Sequence, residues 1–338
     1  VRKSWINIII LFWSLYMIRL FYDVFLAKVD LSVPFWELVA WGLGSSLVSG
    51  VAAFLFAPFK NIGLVLYKSI GFGVVLLGIS VICFAFQPGL DQGGFYLDHL
   101  NAITAANAGC SLVLLSLSSL IARDYCLNND FHPKYLSYLG IIIGSFIVVF
   151  SATRGAILAM IIISFFGMLF ARGSSSSKIS FSAPRLLPTL FLVIFIVGIL
   201  SQSDLLLDKI FTSRLWDTVF TRIEFWKLCF REFLTSPLYG IGFNMQSLLG
   251  RLEIEQGIYF PHNYIFESLA IGGLLLTIPL LACFLIPIIR LFNFKRLDFT
   301  CISLSLLASQ VIIYSMHNGH LGEYPAFWII LGLVAGRE

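Results

Sequence analysis

Charge is what this chain lacks. Of 338 residues only 12% are Asp, Glu, Lys or Arg, while 59% are hydrophobic; a soluble domain carries about 25% charged residues. The short alternating segments of an outer-membrane barrel are missing too, and the apolar stretches have the length of helices. Six cysteines supply no disulfide framework, because Cys83, Cys110, Cys283 and Cys301 sit in apolar runs where they serve helix packing. There is no signal-peptide pattern with a small-residue cleavage site, and the first apolar run is long enough to be read as a first membrane span. Also absent are a Walker loop, His-Glu-x-x-His, Gly-x-Ser-x-Gly and an Asp-x-Asp metal motif. His317 and His320 stand three apart without further ligands, so neither a metal site nor a cofactor is expected. The net charge of +4 says little alone, since its placement matters more than its sum, and no nucleic-acid partner is expected.

The class that remains is an all-α, polytopic transmembrane bundle. Spans are predicted at 5–26, 36–57, 62–86, 101–121, 135–150, 155–171, 186–200, 263–289, 299–317 and 324–336. The stretch 135–171 is almost wholly apolar, but a single helix of that length would run about 55 Å, too long for one crossing. Ser151-Ala152-Thr153-Arg154-Gly155 joins a charge to a glycine and is the natural break. The chain divides into residues 1–200 with spans one to seven, a large hydrophilic loop at 201–262, and residues 263–338 with spans eight to ten.

The distribution of Lys and Arg supports ten spans with both termini in the cytoplasm. The inner loops then carry Lys60; Arg123 and Lys134; Arg172, Lys178 and Arg185; and Arg290, Lys295 and Arg296. The short outer loops carry only Lys28 and Arg154. Arg19 and Asp23 lie four apart on one helix face and are placed to pair, and Lys68 is placed to snorkel.

Loop 201–262 has an amphipathic helix in its middle. Trp216, Val219, Phe220, Ile223, Trp226, Phe230 and Phe233 fall on one face, and Arg214, Asp217, Glu224, Lys227 and Arg231 on the other. It should stop near Ser236-Pro237, ahead of a turn-rich stretch at Gly240–Asn244. Arg222 lies at the border of the apolar face, with its guanidinium expected along the membrane surface. His262 precedes the eighth span, where the positive end of the helix dipole disfavours an imidazolium. A neutral ring there suits a general base. On this topology Arg154, Arg214, Arg222, His262, His317 and His320 share the outer face. Guanidinium forks suit phosphate oxygens, so these residue types suggest a site for a lipid carrying phosphate or pyrophosphate.

Ser151-Ala152-Thr153-Arg154-Gly155-Ala156 resembles a Ser-Arg-Gly signature, with Thr153 in the place before the arginine. Arg222-Ile223-Glu224-Phe225-Trp226 followed by Ser236-Pro237-Leu238-Tyr239-Gly240-Ile241-Gly242-Phe243-Asn244 resembles an "Arg…Trp…Pro-Leu-x-Gly-x-Gly" segment. His262-Asn263-Tyr264-Ile265-Phe266-Glu267, with Gly272 and Gly273 after it, resembles a "His-Asn…Gly" helix start. Together they resemble the bacterial O-antigen ligase and O-antigen polymerase family. The resemblance covers roughly 140–275, and the chain has fewer spans than many ligases of that family. It implies an inner-membrane glycosyltransferase acting at the periplasmic face without metal or nucleotide. The donor would be a glycan on undecaprenyl pyrophosphate. The acceptor would be a sugar hydroxyl of lipid A–core for a ligase, or the next lipid-linked repeat for a polymerase. It further implies that Arg154, Arg222 and Arg214 hold the pyrophosphate and that His262 is the base in a single inverting displacement.

Two other classes compete. A peptidoglycan-type polymerase of the shape, elongation and division class would also carry about ten spans and a large loop, and would use Asp204, Asp208 or Asp217. A polysaccharide or lipid transporter would place polar groups near the membrane midplane, whereas these spans read as nearly free of buried charge. A cysteine placed at Ser174 should be shielded from an impermeant thiol reagent in intact cells, and one at Ser247 should react; the reverse pattern would overturn the topology.

Overall fold

The computed structural model describes residues 2–31, 33–59, 61–85, 102–123, 134–151, 153–170, 213–244, 261–292, 298–317 and 320–337. Every regular element among them is helical. Helix α1 (Arg2–Phe21) continues through a π-helical turn to Leu26, and α2 covers Phe35–Phe56 with π-helical winding from Ala40 to Val48. They are followed by α3 (Ile62–Ala85), α4 (Ala102–Arg123), α5 (Lys134–Phe150), α6 (Arg154–Phe170), α7 (Ser213–Thr235), α8 (Tyr264–Phe292), α9 (Phe299–His317) and α10 (Pro325–Gly336). Six of these, α1 to α4, α8 and α9, contain stretches long and apolar enough to cross a membrane, while α5, α6 and α10 are shorter apolar helices. The chain is a multi-pass membrane protein. The break between α5 and α6 falls at Ser151–Thr153, as the charge and glycine there predict. The segment 186–200, read as a seventh span, lies outside the described residues.

The helices form two compact units. One comprises Lys60–Leu215 and Phe294–Gln310. Here α4 and α5 cross at two glycines: a Cβ on Gly109 would lie 2.8 Å from the Gly144 carbonyl oxygen, and one on Gly144 would lie 2.6 Å from that of Gly109. Lipid supplies no hydrophobic drive between helices, so close backbone approach through small residues takes its place. The Gln310 amide donates to the Asn107 carbonyl at 3.0 Å and accepts from Ser111 at 3.0 Å. Helix α3 leaves Phe72, Val75 and Ile79 exposed, a surface suited to hydrocarbon. Lys68 is exposed on the same helix, as is Cys83, which therefore does not pack as expected; Cys110 and Cys301 are buried.

The other unit comprises Val1–Phe59, Trp216–Asn293 and Val311–Glu338. Its core is aromatic. Phe12 stacks on Trp328 at 5.4 Å, Trp5 on Phe54 at 5.4 Å, and Tyr264 meets Phe327 edge-on at 5.2 Å. Offset and edge-on pairs of this kind each add about 0.5–1.5 kcal/mol beyond burial.

A break in α8 organises this unit. Gly273 has φ 57° and ψ −148°, far from helical values. The break removes two helical bonds, those that would join the Ala270 carbonyl to the Leu274 amide and the Ile271 carbonyl to the Leu275 amide. All four groups are satisfied by the segment after α7. Ile241 N donates to Ala270 O at 2.7 Å and Gly242 N to Ile271 O at 3.1 Å, while Leu274 N donates to Pro237 O at 2.8 Å and Leu275 N to Leu238 O at 3.2 Å. Unpaired backbone groups in hydrocarbon cost several kcal/mol each, so break and segment stabilise each other. The segment is also clamped from α1. Arg19 Nη1 donates to Tyr239 O at 2.8 Å, Arg19 Nε to Asp23 Oδ2 at 3.0 Å, and Phe243 N to the same Asp23 oxygen at 2.8 Å. The pairing of Arg19 with Asp23 was legible in their spacing; its grip on residues 239–243 was not.

A Cβ on Gly273 would lie 2.5 Å from the Pro237 carbonyl oxygen at a φ that disfavours side chains, whereas one on Gly44 would meet open space. Gly273→Ala should therefore lower thermal stability in detergent by about 1–3 kcal/mol, and Gly44→Ala should lower it by less. Equal effects would contradict the interlock.

Candidate functional site

Helix α7 has three sides, not two. Phe225, Leu228, Cys229 and Glu232 recur at i, i+3, i+4 and i+7 and are the buried set. The predicted apolar stripe faces elsewhere: Val219, Phe220 and Phe230 are exposed, with Ile223 and Trp226 only half covered. Burial follows Phe225 and Cys229, while Ile223, Trp226, Lys227 and Phe230, with Phe266 of α8, line an open groove of about 360 Å³.

Arg222, three residues before Phe225, turns toward the protein. Its Nη1 donates to the His317 carbonyl at 2.6 Å, at the C-terminus of α9. A helix C-terminus carries unsatisfied carbonyls and partial negative charge, which a guanidinium matches. This contact gives Arg222 a partner that its place at the border of the apolar face did not reveal.

His262 sits at the entrance to α8. Trp226 Nε1 donates to the Pro261 carbonyl at 2.8 Å, and the Trp226 ring stacks on Phe266 at 5.5 Å with 10° between planes. The residue itself takes φ +52°, a left-handed conformation uncommon outside glycine and enriched at functional sites. Asn263 then caps the helix: its Oδ1 accepts from Ile265 N at 3.0 Å and Phe266 N at 3.2 Å. The Asn263 amide nitrogen donates to the Met316 carbonyl at 2.8 Å. One asparagine thus ties the start of α8 to the end of α9, beside the carbonyl held by Arg222.

These contacts set the electrostatics. The His262 imidazolium is held down to about 4, first by burial, then by the charge of Arg222 and by His320. The ring is neutral at physiological pH, as the helix-terminus reading required, but the principal cause is burial and not the dipole. No hydrogen bond engages this imidazole among the described residues. His317 Nδ1 lies 2.6 Å from the Ile313 carbonyl and so carries its proton there. A neutral imidazole able to accept a proton, beside a guanidinium able to face an anion, can serve transfer between a hydroxyl and a phosphate ester.

Behind this pair is a feature that the sequence reading missed. Glu267, one turn into α8, is fully buried, and its Oε1 lies 3.0 Å from Nε2 of buried His320. Its Oε2 accepts from Leu321 N at 3.1 Å, and His320 Nδ1 accepts from Gly322 N at 3.1 Å. Buried Asp23 and Glu267 correct the expectation that the spans are nearly free of buried charge. The available signal was an acid inside an otherwise apolar run, which in a membrane helix marks function or a partner.

Other candidates are placed less completely. Arg214 lies in the first turn of α7 and Arg154 begins α6, both within the unit that comprises Lys60–Leu215. Asp217 is within α7, and Asp204, Asp208, Glu253 and Glu255 lie outside the described residues.

Residues 139–281 match the family model described as O-antigen ligase. The matched stretch holds Arg154, Arg214, Arg222, His262 and the interlocked glycines Gly240, Gly242 and Gly273. A comparison with curated proteins finds no match.

Removing a nearby positive charge stabilises an imidazolium, so Arg222→Gln should raise the His262 pKa from about 4 toward the usual histidine range. Histidine-selective NMR titration of the purified protein checks this. An unchanged or lower value would separate Arg222 from His262.

Proposed function

We propose that the chain is a glycosyltransferase of the bacterial inner membrane, an O-antigen ligase or polymerase working at the periplasmic face. It moves a glycan from undecaprenyl pyrophosphate to a sugar hydroxyl, on lipid A–core for a ligase or on a lipid-linked repeat for a polymerase. The observation that carries this reading is the neutral His262 held beside Arg222 within the stretch that matches the O-antigen ligase model.

In the reaction the acceptor hydroxyl oxygen attacks the anomeric carbon as its proton passes to His262. The bond from that carbon to the pyrophosphate oxygen breaks, its electron pair leaves with undecaprenyl pyrophosphate, and the anomeric centre inverts. Arg222 binds the pyrophosphate and stabilises its growing charge, and the family resemblance gives Arg214 and Arg154 the same role. No metal or nucleotide takes part in this scheme. A bound pyrophosphate would also offset the charge of Arg222 and so strengthen His262 as a base when the donor is present. The groove formed by Ile223, Trp226, Phe230 and Phe266 lies next to Pro261–His262 and suits the apolar prenyl chain, with Lys227 at its polar edge.

The reading is tested by a lipopolysaccharide gel of a strain lacking the gene, complemented with wild type or His262→Ala. Core without O-antigen, restored only by wild type, is expected of a ligase, and core bearing one repeat of a polymerase. Restoration by His262→Ala would remove the base, and an unchanged ladder in the uncomplemented strain would remove O-antigen as the substrate. Arg154→Lys and Arg222→Lys should each cause large losses, because lysine keeps the charge without the bidentate fork; wild-type ladders from both would return them to structural roles.

A further inference from the structure

Among the described residues, several buried polar groups remain outside the scheme above. The Arg19–Asp23 pair is accounted for by its grip on residues 239–243. The Gln310–Ser111–Asn107 group joins helix to helix inside the other unit. The Glu267–His320 pair has no such explanation. Burying polar side chains in an apolar bundle is costly unless their partners are well placed, so the presence of this pair points to a geometric requirement more than to stability.

We infer that Glu267 and His320 are positioning residues of the transfer reaction, a carboxylate–imidazole pair that locks the turn after α9 onto the first turn of α8 and so fixes where His262 stands relative to Arg222. The inference rests on the glycosyltransferase reading. Its geometry follows from bonds at each end of the pair. Glu267 N donates to Asn263 O at 2.9 Å, which joins the glutamate to the residue beside His262. Glu267 Oε2 takes the Leu321 amide and His320 Nδ1 takes the Gly322 amide, so the pair holds three consecutive residues of the turn. With Nδ1 accepting, the proton of the neutral ring is on Nε2, the atom 3.0 Å from Glu267 Oε1. The turn is braced from behind as well: Ser46 Oγ donates to the Gly322 carbonyl at 2.6 Å, and Trp328 Nε1 to the Leu321 carbonyl at 3.3 Å. Asn263 to Met316 is the outer tether between α8 and α9, and Glu267 to His320 and Leu321 is the inner one. Arg222 is bonded to the strip of chain between them, at the His317 carbonyl. Loosening the inner tether shifts that carbonyl, and Arg222 with it, relative to His262.

The test uses the full chain in nanodiscs, with an undecaprenyl-pyrophosphate-linked O-antigen repeat as donor and lipid A–core or a second lipid-linked repeat as acceptor. Glu267→Gln should lower kcat by about 10–100-fold with KM for donor and acceptor little changed. His320→Gln places an N–H donor near the ε position and should keep most of the activity, whereas His320→Asn should lose it to the same extent as Glu267→Gln. The double variant Glu267→Gln/His320→Asn should be no worse than either single one. A raised KM at unchanged kcat, equal effects of Gln and Asn at position 320, or additive losses would overturn the inference. Histidine NMR gives a readout independent of turnover: the His262 resonances should move in Glu267→Gln, and unmoved resonances would overturn the positioning role. Wild type without any transfer would count against the glycosyltransferase reading alone, and the NMR result would still decide the tether.

Discussion

A hydrogen-bonding debt inside an apolar helix sets the architecture of the unit that carries His262. At Gly273 the α8 helix stops satisfying itself, leaving two carbonyls and two amides that hydrocarbon cannot serve. The Pro237–Gly242 segment supplies a partner for each of the four. That requirement fixes the glycines, because a Cβ at Gly240 would lie 2.5 Å from the Ala270 carbonyl oxygen and one at Gly273 equally close to that of Pro237. It also fixes the exit of α7, whose indole at Trp226 then reaches the Pro261 carbonyl and holds the entrance of α8. The position of the candidate base thus follows from backbone bonds made several turns away.

Charge is scarce in this chain, and among the described residues Asp23, Glu267 and Arg222 each meet a defined partner. Asp23 receives Arg19 and the Phe243 amide; Glu267 faces His320 and receives the Leu321 amide; Arg222 closes the end of α9. The contacts of Asp23 with Phe243, of Glu267 with the turn after α9 and of Arg222 with His317 join chain segments remote in sequence, at the 236–244 segment, the start of α8 or the end of α9. An apolar bundle in lipid has little to distinguish one helix packing from another. Directional polar contacts at these joints supply that distinction and keep a guanidinium next to a neutral imidazole.

Much of the fold was legible in hydropathy. Long apolar runs gave α1 to α4, α8 and α9, the charge and glycine at 151–155 gave the break before α6, and Ser236-Pro237 gave the end of α7. The neutrality of His262 was legible from its place ahead of an apolar helix, though it comes from burial more than from the dipole. The packed face of α7 was not legible. Its aromatic stripe is the stronger pattern, and in a membrane protein the stronger apolar face need not be the one that packs, because lipid accepts it as readily as protein does. The direction of Arg222 was hidden for a related reason: a residue at the border of two faces goes where a partner waits, and the His317 carbonyl lies 95 residues away. Glu267 was visible as a motif letter, but its partner was not, since nothing in the spacing of Glu267 and His320 brings them together.

The account rests on His262 as the group that takes the proton of the acceptor hydroxyl. Single-turnover transfer by purified wild type and His262→Ala in nanodiscs, with donor binding measured in parallel, tests it most directly. The account predicts unchanged donor affinity and a transfer rate lower by about 100-fold or more in the variant. A His262→Ala rate within a few-fold of wild type, at equal donor occupancy, would contradict it.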